Sequence, residues 1–326
     1  MRLTYSIGVN STETFRFTAG KSPKRKGFNV HTTPHYFRSA FDAPPGRIFG
    51  NFDLSQAEVR FVARRAKVKY LNKLFVEGKS IHKEFGKKRL GYEPKKGTSE
   101  YNLCKSTVHA YDYREMPSRF SLQTGTPLRE AKAILRDYGM LVPEIHEWHH
   151  WVWEQIRTKG YLVNPFEFKR VFYEALACFS ITKKMTDQQW KDAISWEPQS
   201  TIPVVTNIGM THVRDKMKEN VFTHLQHHDS FLDSVVPEAL PELFGHAMDG
   251  LKVEIPFQDG PLVIPVEAQA GYSWGWMMPL ESPRVVCYDE WYSWKSEEET
   301  KCQLEERVLA DVYGPLLKKM EEKCLI

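Results

Sequence analysis

The chain has 326 residues, 41% hydrophobic and 26% charged, ordinary globular values that exclude disorder as the main state and predict one large domain or two to three smaller ones. No apolar run reaches the roughly 18 residues of a membrane span, no signal-peptide core follows Met1, and the five cysteines form no Cys-x-x-Cys pair, so the expectation is a cytoplasmic chain of reduced thiols without a disulfide framework or a thiolate zinc site. The net charge of +4 hides an asymmetry: residues 1–100 carry 21 Lys and Arg against 8 Asp and Glu, and the rest 24 against 33, which makes the first third either a face for a polyanion such as a nucleic-acid backbone or a solvated basic surface.

In chain order, residues 1–50 read as short strands and turns, with alternation over 14–18, a basic run at 21–27 and breakers at Gly20, Pro34 and Pro44-Pro45-Gly46. Residues 48–54 form an apolar run that carries Asp53 near its end, a strand feeding a helix. Residues 55–157 are helix-compatible, with stops at Gly91, Pro94, Gly97, Pro117 and Pro127. Beyond Gly160 the pattern loosens. A helix over 203–220 then leads into a strand-turn-strand over 224–232 with Asp229 at its tip. Residues 251–267 are strand-like, Trp274-Gly275-Trp276 is an aromatic turn, and 297–323 is a charged helix interrupted by Gly314-Pro315. Internal repeats are absent.

Taken singly, Asp53 and Asp229 are ordinary acids at strand ends, the usual place of turn and cap residues. Between them, Tyr101, Lys105, His109 and Tyr113 recur every four residues, and at about 100° per residue they share one helix face. Alone, that stripe would be a half-buried surface with a snorkelling lysine. His146 and His150 stand one helical turn apart, but no third ligand cluster is evident, which sets a zinc hydrolase aside.

The order of the motifs is more specific. Asp53-Leu54-Ser55-Gln56-Ala57-Glu58-Val59-Arg60 closely resembles the first palm motif, D-Y-S-Q-I-E-L-R, of family A (DNA polymerase I-like) DNA polymerases. His228-Asp229-Ser230 after Leu225-Gln226 resembles the third palm motif, H-D-E, and the stretch from Tyr101 to Tyr113 resembles the fingers motif R-x-x-x-K-x-x-x-x-x-x-x-Y-G. Weaker matches keep the family order: Thr14-Phe15-Arg16, Asn29-Val30-His31-Thr32-Thr33-Pro34, Ser80-Ile81-His82, Gln199-Ser200-Thr201 and Gly271-Tyr272-Ser273-Trp274.

This resemblance implies an α+β fold, a right-hand polymerase palm of antiparallel sheet and helices with a helical fingers insertion and no encoded thumb or exonuclease domain. Its implied boundaries are palm over 1–60 and 196–280, fingers over 61–195 and a C-terminal extension over 281–326. The implied activity is template-directed addition of deoxynucleotides to a primer 3′ end with two Mg²⁺ ions, Mn²⁺ being a possible substitute. Asp53 and Asp229 would be the catalytic and metal-binding acids. Lys105, His82, Tyr113, Glu58 and Arg114 would meet the nucleotide, with Glu58 as a sugar gate, and Arg16, Asn29, Gln199 and His228 would touch DNA. Implied partners are primer-template DNA, dNTPs and a second polypeptide bringing thumb and exonuclease, as in a phage-type split polymerase working in a host cytoplasm.

Four positions depart from the family pattern. Tyr101 replaces the fingers arginine, Arg114 the glycine after the tyrosine, Ser80 an aspartate and Ser230 the third-motif glutamate. Two acids remain, and Lys95, Lys96 or Arg114 is expected to stand in for the lost arginine. The alternatives are a single-subunit RNA polymerase-like enzyme, which shares His228-Asp229-Ser230-Phe231 and the Lys105-to-Tyr113 spacing, and a non-catalytic nucleic-acid-binding polymerase subunit. The acidic tail either docks a partner or packs on its own palm.

Overall fold

The computed structural model describes residues 6–9, 12–20, 29–182 and 184–303. The basic run at 21–27 and residues 304–323 of the expected C-terminal helix lie outside the described residues. In chain order the elements are β1 (Ser6–Gly8), β2 (Thr18–Gly20), β3 (Ile48–Leu54), α1 (Ala57–Arg65), α2 (Lys69–Val76), α3 (Ile81–Leu90), α4 (Ser99–Asp112), α5 (Pro117–Thr124), α6 (Leu128–Gly139), α7 (Pro143–Lys159), β4 (Tyr161–Val163), β5 (Lys169–Val171), α8 (Tyr173–Thr182), α9 (Asp187–Met217), β6 (Phe222–His227), β7 (Ser230–Val235), α10 (Leu240–Gly250), β8 (Val266–Ser273) and β9 (Trp276–Pro279).

A five-stranded antiparallel sheet, ordered β6-β7-β3-β8-β9, puts the 48–54 strand at its centre. Strand alternation sends Ile48, Phe52 and Leu54 to one face, where they form an apolar core with Phe231 and Val235 of β7, Ile202 and Val205 of α9, and Leu243 and Ala247 of α10. Gly50 belongs to that face: a Cβ there would lie 2.8 Å from Leu243 Cδ2, so only glycine lets α10 approach the central strand this closely. The other face carries Asn51 and Asp53, set opposite Gln269 and Glu267 of β8.

The residues between β3 and α9 build a second, helical body around its own core, with Phe85, Ile134, Tyr138, Ile145, Trp148 and Trp196 among its buried side chains. Helix α4 starts at a real cap, the Thr98 hydroxyl accepting from the Tyr101 N–H. Pro117 begins α5 and Pro127 caps α6, so these prolines open helices as well as ending the segments before them. Gly139 of α6 faces the Tyr111 ring of α4, whose hydroxyl would lie 2.5 Å from an added Cβ.

Helix α9 joins the two bodies. Its first half (Ala193, Ile194, Trp196) belongs to the helical core, and its second half (Ile202, Val205, Val213, Met217) to the sheet core. The sequence pattern starts this helix at Pro203, yet it starts at Asp187 behind a capping box of Thr186 and Gln189 and runs for 31 residues, about 46 Å. Each of Pro198 and Pro203 removes a backbone donor. Both rings are buried, however, and the Ser200 and Thr201 hydroxyls donate to the Glu197 carbonyl at 3.2 and 2.7 Å. Packing on two cores outweighs the two missing bonds.

Three other expectations are corrected. The alternating stretch 14–18 is strand only from Thr18 onward, because Phe15 has a positive φ of 59° and packs its ring 4.5 Å from that of Phe168. Within 251–267 a single bridge pairs Ile255 with Leu262, and the strand begins at Val266. Residues 288–303 are helical, and Trp291 is buried with its indole N–H donating to the Trp276 carbonyl at 2.9 Å. The described part of the C-terminal extension therefore packs on its own sheet. Among the described residues no helix is long and apolar enough to cross a membrane.

Candidate active site

Backbone pairing brings the two acids together. Asp53 lies opposite Ser230 on β7 and Glu267 on β8, and the Leu54 N–H donates to the Asp229 carbonyl at 2.9 Å. Asp229 sits in the turn between β6 and β7. That turn closes because His228 takes a left-handed φ of 61° and the Ser230 hydroxyl donates back to the His227 carbonyl at 3.2 Å. Asp53 thus projects from the face opposite the sheet core, with Asp229 at the adjacent strand end.

Over this face opens a cavity of about 380 Å³ whose lining includes Asn51, Asp53, Ser230 and Glu267 from the sheet and Lys96 and Lys105 from the helical body. Carboxylates face ammonium groups across it. Burial pushes the Asp53 carboxyl well up, and the charges of Asp229 and Glu267 push it further, against the pull of Lys105 and Lys96. Asp229 is raised as well, by burial and by Glu58, with its own backbone N–H, Arg16 and Lys105 opposing. Two half-buried acids held up in this way form a donor set whose strain a divalent cation would relieve.

Lys105 is exposed on α4. His82, at the start of α3, is buried and driven down to about 4 by burial and by the charges of Lys105 and Lys96, so its imidazole is neutral at ordinary pH. Tyr101, in the place of the expected arginine, sets its hydroxyl 3.4 Å from His82 Nδ1. Glu58 in the first turn of α1 is a junction: Arg16 pairs with one carboxylate oxygen, and the buried Tyr113 donates its hydroxyl to the other at 2.5 Å. His109 Nε2 lies 3.7 Å from the same carboxylate. All four residues of the predicted face thus meet the site or its border.

The remaining predicted residues are spread out. The exposed Asn29 caps a short 3₁₀ turn at Val30–Thr32 by accepting from the His31 N–H. His228 is half-buried and pushed down to about 3 by burial and Arg16, with its ring centroid 4.8 Å from His227 and 5.9 Å from His31. Gln199 is half-buried in α9. Arg114 faces elsewhere: it lies 3.7 Å from Asp187 and over the Trp190 ring at 5.1 Å, beside a different cavity. Of the three cations expected to replace the fingers arginine, Lys96 is the one that lines the cavity of Asp53 and Lys105.

Sequence reasoning missed Glu267, which accepts from the Ser55 hydroxyl at 2.7 Å and pairs with Lys96 at 3.7 Å. Its signal was present as the polar alternation Glu267-x-Gln269 between apolar neighbours, which marks one strand face. It also missed Arg38, stacked over Trp274 at 4.6 Å at the cavity wall. His146-Glu147-Trp148-His149-His150 on α7 spells H-E-x-x-H, but among the described residues no group of three His, Cys, Asp or Glu could hold a metal ion.

Comparison with known proteins shows the family. The model of the family described as DNA polymerase family A matches residues 20–277. The thermostable DNA polymerase I of Thermus filiformis is 26% identical over 279 residues, covering 85% of this chain and 32% of that protein, and the Thermus aquaticus enzyme is 25% identical over 287 residues, covering 86% and 33%. The chain spans about a third of the length of these curated relatives. Among solved structures, the POL domain of Pol1 from M. smegmatis, in complex with DNA primer-template and dNTP, aligns with a TM-score of 0.70 at 20% identity, covering 84% of this chain and 48% of that one.

Proposed function

Because the chain belongs to DNA polymerase family A, we propose that it catalyses template-directed addition of deoxynucleotides to a primer 3′ end at the cavity between Asp53, Asp229 and Lys105. One observation carries the proposal: Asp53 lines a cavity with lysines of a separate helical body, and Asp229 stands at the adjacent strand end, where its charge reaches Asp53. Mg²⁺ takes one or two carboxylates plus substrate phosphate, and this pair fits that demand. Asp53 and Asp229 would hold two Mg²⁺ ions, or Mn²⁺ in their place, which when bound supply the positive charge that activates the primer 3′-hydroxyl and neutralises the leaving pyrophosphate.

The chain's own groups do the rest. Lys105, with Lys96 beside it, attracts and positions the triphosphate as point charges. His82 offers a hydrogen bond without a charge. Tyr113, tied to Glu58, presents its ring to the templating base, and Glu58, held from both sides by Arg16 and Tyr113, occupies the space a ribose 2′-hydroxyl would need. Arg16, Asn29, Gln199 and His228 touch primer or template and fix position, while base pairing reads sequence.

In this reading the sheet body is the palm (1–60 and 196–280), the helical body the fingers (61–195) and residues 281–326 an extension, a division supported by the two separate apolar cores. The second polypeptide bringing thumb and exonuclease belongs to the same proposal and is tested by copurification from the native source. The direct experiment is Mg²⁺-dependent primer extension by the purified chain beside Asp53→Ala and Asp229→Ala. Deoxynucleotide addition lost in both variants supports the proposal; addition that survives either substitution refutes it, and a preference for ribonucleotides would favour an RNA polymerase.

A further inference from the structure

A second cavity, of about 550 Å³, lies on another side of α4, between that helix, α6, α7 and the start of α9. Tyr111, which helps line it, is six residues beyond Lys105, about 120° away around the helix. The two cavities therefore share a wall helix but no lining residue. Nothing in the reaction proposed above uses this space. Its volume is that of a small-molecule site.

Its lining combines aromatic rings, cations and His146, His149 and His150 of α7. Tyr111, Trp153 and Trp190 contribute aromatic rings, while Arg114, Lys132 and Arg136 contribute cations. Lys132 and Arg136 are exposed at the rim. The single carboxylate in the lining, Glu115, is already engaged by Arg119 at 3.1 Å and Lys191 at 3.8 Å. Arg114 and Arg136 also reach Asp187 at 3.7 Å and Asp137 at 3.3 Å, acids outside the lining, so the lining itself keeps an excess of cations. Flat rings beside that excess suit a ligand that is both aromatic and anionic, because a base gains stacking while its phosphate gains charge pairing. A carboxylate-rich peptide would satisfy the cations and leave the rings without a flat partner.

We propose that this cavity is a second nucleotide-binding site, which takes one base and its phosphate from either a free nucleotide or an unpaired unit of a single strand. The site stands apart from Asp53 and Asp229 and does not need them.

The test measures equilibrium binding to the full chain in EDTA, by tryptophan quenching with dAMP and by fluorescence anisotropy with a labelled single-stranded oligo(dA). The main variant is Lys132→Glu/Arg136→Glu, two exposed positions where folding is not at stake; Trp153→Leu is the second. The charge reversal should weaken binding roughly tenfold, as loss of a stacked or charge-paired unit does, and should make the salt dependence of strand binding shallower by about two. Weakening with both probes identifies a free-nucleotide site, and weakening with the strand alone identifies a strand site. Unchanged binding of both probes in both variants overturns the proposal, as does loss of dAMP binding in Asp53→Ala, which would place the nucleotide in the other cavity. Failure of the polymerase reading is seen separately, as absence of extension by the unsubstituted chain.

Discussion

The two cavities beside α4 are close in size and opposite in chemistry. The one over the sheet sets carboxylates of two strands, Asp53 and Glu267, against lysines of the helical body, so charges of both signs converge in a half-enclosed space. The one behind α4 is walled by aromatic rings and histidines, with three cations against the single carboxylate of Glu115. Burial and the like charges of Asp229 and Glu267 raise the Asp53 carboxyl against the pull of the lysines, the kind of strain that the proposed metal would relieve. The aromatic cavity offers a surface for binding, with His149 in its wall driven down to about 4 by burial. The difference also reflects the elements used: strand register fixes the acids rigidly, whereas helix periodicity distributes the cations over a surface.

The largest test of this contrast is removal of an acid. Asp53→Ala or Asp229→Ala should lower primer extension on the order of a thousandfold, with the circular dichroism spectrum and melting profile unchanged and binding at the aromatic cavity intact. Lys105→Ala comes next: the apparent affinity for dNTP should fall roughly 30-fold, as for a truncated partner in a charge pair, and steady-state titration of dNTP reads it. An unaltered KM would place the triphosphate elsewhere.

Asp233 sharpens the contrast from the other side of the sheet. This fully buried acid of β7 faces the apolar core, and burial pushes its carboxyl up to about 7, against the pull of Thr223 and Arg214. An acid raised in the folded state keeps a proton that the unfolded chain has lost, so stability falls as pH rises from the ordinary 3.8 through about 7 and is lowest above that window. Asp233→Asn should remove this slope and add roughly 2 to 4 kcal/mol at pH 8, measured by urea unfolding at pH 5 and pH 8. The smallest expected effect belongs to the shared wall. Thr98→Ala deletes the cap of α4 and should cost about 1 kcal/mol in thermal unfolding, while loosening ligands at both cavities because both rest on that helix.

Much of the site was legible because its key residues lie within short local motifs. The strand 48–54 with Asp53 near its end, the Asp229 turn and the Tyr101–Lys105–His109 face depend on periods of two and nearly four, which the chain displays directly. Glu267 carried only a weak alternation, and its partnership with Asp53 follows from the register of β3 with β8, more than 200 residues apart in the chain. Arg114 illustrates the converse. Its position beside Tyr113 suggested the nucleotide, but its left-handed φ of 52° at the end of α4 carries it over Trp190.

The sequence by itself determined the α+β pattern, the acids, the lysine-bearing helix face and the resemblance that links them, since each is written in local periodicity or in motif order. Tertiary structure alone decided that α9 runs unbroken through Pro198 and Pro203, that Lys96 and not Arg114 lines the acidic cavity, and that a second, aromatic cavity exists at all. The reason is the same in each case: burial energy summed over distant segments overrides local propensity, and a cavity is a property of surfaces that meet only after the chain has folded.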